Sequence, residues 1–371
     1  MSTSEDRAVD TVIIGAGQAG LATAYHLTRR GHACIVVDAN QRIGDNWRHQ
    51  YDSLALFTLN RFNGLPGMAF PGDQRDCATK DELADFLETY ATRFDLTVRL
   101  DTRVTHVGRH RDGFAVETTT GRIACHNVVI AVGPFGRSPA VPECATDLDA
   151  SILQLHSSEY RRPGQLREGP VLVVGGGHSG CDIALEVAAS HPTTLVGRDP
   201  GQVPVSWDSP MLSPVMSLVM FVHHHVRTRR TPIGRRQRPH VLAHGAEMLR
   251  VKRAHLDAAG VVRSHARVVG ASGGIPLLAD GSTVEAATVI WATGYRHDFA
   301  WLDLPVLDES GWPREYRGVA TDVTGLFFCG LAYQYALTSM NLAGVGRDAG
   351  YITCKIIARR PASQEIAGRA A

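Results

Sequence analysis

Residues 11–20 read Thr11-Val-Ile-Ile14-Gly15-Ala-Gly17-Gln-Ala-Gly20, and the pattern returns as Val171-Leu-Val-Val174-Gly175-Gly-Gly177-His-Ser-Gly180. Each copy leads from an apolar, β-branched run through spaced glycines into a helix-compatible stretch, Leu21–Arg30 and Cys181–Ser190. Strand, glycine turn and helix in that order make a dinucleotide site rather than an isolated turn. The first glycine permits the tight turn, the second lets backbone approach a pyrophosphate, and the third lets helix pack on strand. The helix start then offers free N–H groups and a positive dipole end to the phosphates. Gln18, Ala19, His178 and Ser179 lie within the two turns and complete the two binding sets. His178 belongs at the nicotinamide end of the second turn; a solvent-facing helix-start residue is the alternative.

The residue closing the next strand separates the two nucleotides. Asp38 follows Cys34-Ile-Val-Val37, near the offset of roughly 20 residues at which an acid accepts ribose hydroxyls and repels a 2′-phosphate. Arg198 holds the same offset after Thr194-Leu-Val196, and a guanidinium suits a 2′-phosphate. The first fold is therefore expected to hold FAD and the second NADPH. Asp199 adjoins Arg198, and if it points inward NADH becomes the better expectation.

With 371 residues the chain can bury two sizeable cores. A net charge of +1 excludes a bulk electrostatic case for nucleic acid. The seven cysteines are dispersed without a Cys-x-x-Cys pair, so a dithiol redox pair and a zinc knuckle are not supported. That pattern fits reduced thiols, hence a cytoplasmic protein. Met1–Arg7 runs into a strand and does not read as a signal peptide. No apolar run reaches membrane-spanning length.

The expected class is α/β, with two Rossmann-like dinucleotide-binding domains in the manner of glutathione reductase. The FAD domain takes residues 1–160 and 295–371, and the inserted NADPH domain takes 161–294. Thr79–Phe94 reads as a helix with a Thr79/Glu82 capping box and an apolar face of Leu83, Phe86, Leu87 and Tyr90. A terminal helix begins near Val345. Met211–Val222, apolar and broken by Pro214, reads as a buried helix or lid. His223-His-His225 is not expected to bind a metal, because adjacent side chains diverge. The arginines from Arg227 to Arg238 form a solvated loop, or alternatively a cover over NADPH phosphates or a membrane-surface contact.

Other segments resemble the flavin-containing monooxygenase family, and most of all its short bacterial members. Gly44-Asp-Asn46-Trp47 resembles the Gly-Gly-x-Trp segment beside the flavin. Leu155-His156-Ser-Ser-Glu-Tyr160 resembles the His-x-x-x-Tyr end of the family signature, although Ser151-Ile-Leu replaces its upstream Phe-x-Gly part. Ala292-Thr293-Gly294-Tyr295 resembles the interdomain linker, with Ala131-Val-Gly133 as its counterpart in the first domain. The resemblance adds Asn46, Trp47, Val104, Ala131, Gly133, Gly330, Gln334 and Asn341 to the FAD set, and Ala292, Thr293 and Gly294 to the NADPH set. It implies NADPH-driven oxygenation of a soft nucleophile, an amine or a sulfide, by dioxygen through a flavin 4a-hydroperoxide. Tyr160-Arg161 departs from the Baeyer–Villiger ending. Where several relatives place an Asn near the flavin, this chain has Phe57, which cannot donate a hydrogen bond. Thr58, Asn60 or bound NADP⁺ substitutes for it, or the protein leaks electrons as an NADPH oxidase. A reductase, a Baeyer–Villiger oxygenase and a redox-sensing flavoprotein stay open as alternatives, as does a homodimer.

Overall fold

The computed structural model describes residues 9–136, 138–203, 207, 209–244 and 247–359. Two sheets organise it, one behind each glycine turn; the first is parallel at its centre with antiparallel strands at its margins, and the second is parallel. In the first, Val9–Ile14 lies between Cys34–Val37 and Gly121–Ile130, and the latter also pairs in parallel with Leu326–Phe328. The second runs Val262–Ser264, Thr193–Val196, Val171–Val174, Thr288–Trp291, Leu153–His156, parallel throughout.

Strand periodicity explains why both sheets are covered on both faces. Ile13 enters one core cluster, while Val12 and Ile14 enter the opposite one. Likewise Val171 and Val173 face one side of the second sheet, and Leu172 and Val174 the other. Continuous apolar strands buried on both sides are the signature of parallel sheets. One face of the first sheet is covered by the helices Gln18–Thr28, Lys80–Arg93 and Leu342–Ala358. The middle helix has the expected reciprocal cap between Thr79 and Glu82, and Leu83, Phe86, Leu87 and Tyr90 are buried along its inner face.

Four boundaries differ from the sequence expectation. Both fingerprint helices begin early, at Gln18 and His178, because Gly17 and Gly177 themselves are the N-caps and the third glycine lies inside the first turn. The terminal helix begins at Leu342, capped by Asn341. Leu153–His156, assigned by sequence to the FAD side of a boundary at 160, pairs with Thr288–Trp291 and so belongs to the second sheet. The outgoing and returning chains meet where Ser138–Pro139 pairs with Tyr295–Arg296. That two-stranded ribbon is where the chain crosses between the sheets.

Candidate active site

The two glycine turns are built alike. A Cβ on Gly15 would meet the Ala131 carbonyl oxygen at 2.5 Å, and one on Gly175 would meet that of Ala292 at 2.2 Å. These glycines have φ of +107° and +120°, which L side chains rarely adopt. A Cβ on Gly20 or Gly180 would stand 1.8 Å from the carbonyl oxygen of Gly15 or Gly175. Gly17 and Gly177 are different: a Cβ there meets nothing within 4 Å. The space outside the middle glycine is open at both helix N-termini, where a pyrophosphate fits. Ala131 and Ala292 are the strand-end residues against which the turns close, and Gly133 (φ +104°) and Gly294 (φ +81°) follow each of them.

Around the first turn, Asp38 is half-buried and accepts from the Ala16 amide at 2.6 Å and from the Asn40 amide and side chain at 2.8 Å. Gly330 comes so close to the first helix that a Cβ would meet that of Ala19 at 2.8 Å. Trp47 packs on the core beside Ile43, and its indole N–H is buried without a partner among the described residues. Such a donor costs free energy unless a ligand satisfies it. Asn46 uses its carbonyl to accept from Gln50. Val104 begins a strand that packs on the far side of the sheet. Open glycine turn, acid at the strand end and orphaned indole donor together fit a flavin nucleotide.

Two assignments fare differently. Gln334 is fully buried, with its carbonyl accepting from the Leu331 amide and its amide group pressed towards Gly318. Its amide nitrogen is buried with no partner among the described residues, as is the Trp47 indole N–H. Asn341 does stand half-buried at the N-terminus of the Leu342–Ala358 helix. Of Thr58 and Asn60, expected to replace the missing donor, Thr58 has its one hydroxyl proton committed, while Asn60 keeps a second amide N–H and a buried Oδ1 with no partner among the described residues. The Thr58 hydroxyl donates to Asn63 at 2.5 Å, and the Asn60 amide donates to the Asp73 carbonyl at 2.9 Å.

Around the second turn, one pocket is lined by Gly176, Gly197, Arg198, Asp199, Arg263 and His265, among others. Arg198 is exposed, with its guanidinium 3.0 Å from His240. Asp199 accepts from Arg253 at 2.5 Å and from the Gly201 amide at 2.8 Å. The Arg253 hydrogen bond holds its carboxyl below the usual range. Its charge is thus answered within the protein. Arg263, at 2.8 Å from Asp257, lines the same pocket, as does His265. Sequence reasoning missed both, since neither belongs to the fingerprint.

Aromatic residues join the loop at 51–58 to the second turn and its helix. The Phe57 ring stacks on His178, with centroids 4.5 Å apart and planes inclined by 21°. Burial pushes the His178 imidazole below its ordinary pKa, so it is neutral near pH 7. Tyr51 donates to Asp182 at 3.1 Å, and Arg250 pairs with the same carboxylate at 2.9 Å. Tyr160 is buried and donates to Glu186 at 2.8 Å. His156 bonds the Gly294 carbonyl at 2.9 Å and Ser158 at 2.8 Å. The His-x-x-x-Tyr segment therefore fastens the linker and the second fingerprint helix. Thr293 and Ser179 flank this junction, the former with a buried hydroxyl that has no partner among the described residues; Ser179 is exposed.

The segment expected to be a buried helix or lid is a helix buried on one side, the start of a longer arm. Its helix Leu212–Phe221 continues through a wide turn, Val222–Val226, to a second helix, Pro232–His244. The arm pairs with the C-terminal segment through Thr228 and Ala336. Arg227 pairs with Glu247, and Arg229 with buried Glu315, so part of the arginine loop faces inward rather than solvent. His223 contacts Arg227 and His224 contacts Thr338. Among the described residues no cluster has the makings of a metal site. Burial pushes both histidines down to about 4. Between that value and an unfolded pKa of about 6.5, the detached arm binds more protons than the docked one. The docking contribution of these rings is complete above pH 6.5 and is lost as pH falls towards 4. Limited proteolysis is expected to cut within 209–244 sooner at pH 4.5 than at pH 7; equal rates would contradict this.

Residues 12–231 match the family described as pyridine nucleotide-disulphide oxidoreductase. A flavin-containing monooxygenase from Stenotrophomonas maltophilia superposes with a TM-score of 0.77, at 26% identity over 95% of this chain and 98% of that one. The chain belongs to the flavin-containing monooxygenase family. It is similar to an uncharacterized CzcO-like oxidoreductase of Geobacillus kaustophilus, 38% identical over 94% of this chain and 98% of that protein. It is also similar to an indole-3-pyruvate monooxygenase of Arabidopsis thaliana, 33% identical over 51% of this chain and 47% of that protein. The protein is a flavin-dependent oxidoreductase of the monooxygenase type, with a flavin cofactor and a nicotinamide partner. All seven cysteines are free. No helix of the described residues is long and apolar enough to cross a membrane.

Proposed function

We propose that this flavoprotein uses FAD and NADPH to transfer one oxygen atom of dioxygen to a soft nucleophile, a sulfide sulfur or an amine nitrogen. NADPH supplies two electrons, and the second oxygen atom leaves as water. FAD, when bound, accepts the hydride and activates dioxygen. The observation that carries this reading is the Phe57–His178 stack, which sets the 51–58 loop against the second open glycine turn.

The residues divide the work. Gly15, Gly17, Gln18, Ala19, Gly20 and Asp38 hold the FAD phosphates and ribose, and Asn46, Trp47, Gly133, Gly330 and Asn341 surround the rest. Gly175, Gly177, Ser179, Gly180 and Arg198 hold NADPH, and neutral His178 stands at its nicotinamide end. Phe57 supplies no hydrogen bond, so its contribution is to exclude water. A sulfide, or an amine that enters as the free base, needs no general base to become nucleophilic, which agrees with the absence of a nucleophile–base pair at Phe57 and His178 among the described residues.

Phe57→Ala is expected to raise severalfold the share of NADPH electrons released as hydrogen peroxide, with NADPH affinity little changed. An unchanged share would remove Phe57 from the account. The proposal itself is tested by measuring oxygenated product against hydrogen peroxide over a panel of sulfides and amines. Product formation dependent on NADPH supports it. Stoichiometric peroxide across the panel would favour the oxidase reading that Phe57 also suggests, and a single reduction without turnover would favour a redox sensor.

A further inference from the structure

The arm carries a second surface that the redox site does not use. Residues 209–246 contain six arginines and no aspartate or glutamate. Its first helix is held from within: Met216 and Met220 are buried, and Arg61 donates to the Ser213 carbonyl and the Ser217 hydroxyl. Arg347 donates to the His224 carbonyl at 2.7 Å. The opposite side is bare. Met211, Pro214, Leu218, Phe221 and His225 are exposed at helical spacing, with Leu218 at 61% and Phe221 at 57%. Val226 and Ile233 extend the apolar patch into the next turns.

The arginines split by direction. Arg227, Arg229 and Arg238 pair with Glu247 or Glu315. Arg230, Arg235 and Arg236 are exposed and form no ion pair with a described residue. Large contiguous apolar patches on a protein surface mark interaction sites. An apolar stripe with unanswered arginines and no acids matches a surface of lipid phosphates above acyl chains. A second copy fits worse, because a two-fold contact would set this acid-free face against itself. We propose that the 209–244 arm seats on the interfacial region of an anionic lipid bilayer, with Leu218 and Phe221 inserted and Arg230, Arg235 and Arg236 on the phosphates. The arm lies on the bilayer and does not cross it. This proposal does not depend on the oxygenation reading.

The test is flotation of the full-length, FAD-loaded protein with phosphatidylglycerol-rich vesicles and with pure phosphatidylcholine vesicles. Binding to the anionic vesicles is expected to be at least about tenfold stronger and to weaken with salt. Leu218→Ser/Phe221→Ser and Arg230→Gln/Arg235→Gln/Arg236→Gln should each reduce it about tenfold, while FAD absorbance and thermal melting stay at wild-type values. No binding by the wild type would overturn the proposal, as would binding that both variants retain. Loss in the arginine variant alone would reduce the contact to non-specific charge and also overturn it. So would a dimer in vesicle-free buffer that Leu218→Ser/Phe221→Ser splits, since the face would then belong to a second copy.

Discussion

Gly17→Ala is expected to yield a folded protein almost free of FAD, whereas Gly20→Ala should fail to fold around the first turn. The backbone at Gly17 has φ −77° and ψ −175°, ordinary extended values, and its added Cβ meets no protein atom within 4 Å. The change does not strain the apoprotein, and at such a site it stabilises by about 0.4–1 kcal/mol through the unfolded chain. The same methyl group stands where the pyrophosphate must approach. Losing two charge-assisted backbone hydrogen bonds, at about 1.5–3 kcal/mol each, weakens FAD binding roughly 100-fold or more. Gly20 has no such freedom, because the Gly15 carbonyl oxygen lies 1.8 Å from its would-be Cβ. Strand and helix must separate there, at a cost of about 1–3 kcal/mol or more. FAD absorbance per protein and the melting temperature of the apoprotein separate the two effects. Equal flavin content in Gly17→Ala and wild type would show that the first turn does not hold the pyrophosphate. Gly177→Ala and Gly180→Ala should repeat the contrast for NADPH, since Gly177 has φ −75° and ψ −175°.

Arg198→Ala is expected to raise the KM for NADPH roughly 10- to 100-fold, the loss of one or two hydrogen bonds to a charged phosphate. The KM for NADH should change little. Arg198 is exposed at the strand end and its neighbour His240 is 3.0 Å away. Asp199, the residue that would argue for NADH, already accepts from Arg253 and the Gly201 amide, which offsets its charge. Arg263→Ala should lower the NADPH preference less, because its guanidinium is shared with Asp257. Steady-state kinetics with both coenzymes decide this. A wild-type preference for NADH, or an unchanged NADPH KM in Arg198→Ala, would assign the pocket to a different chemistry.

Legibility followed locality. Each glycine turn, its strand and its helix form one continuous stretch, so pattern and spacing carried the two-fold architecture. The helix starts were displaced because the middle glycine caps the helix while the third glycine joins it, which composition does not reveal. The strand Leu153–His156 was misplaced because its partner, Thr288–Trp291, lies far along the chain. Side-chain commitments were equally hidden. Nothing in the spacing of Thr58 and Asn60 announces Asn63 and the Asp73 carbonyl as their partners. Gln334 reads as a polar residue in a cofactor-capping segment, and the pattern does not reveal that it is wholly buried with an amide nitrogen that has no partner among the described residues. The arm's apolar run looked like core because Met216 and Met220 are core, while Leu218 and Phe221, between and beyond them, face outward.

The most direct test of monooxygenation is isotopic. FAD-loaded protein is reduced with NADPH without oxygen, then mixed with ¹⁸O₂ and a sulfide, and the product is weighed by mass spectrometry. The account predicts a sulfoxide carrying one ¹⁸O atom, formed in proportion to NADPH consumed. Flavin reoxidation with all the ¹⁸O recovered as hydrogen peroxide, for every sulfide and amine tried, would contradict it.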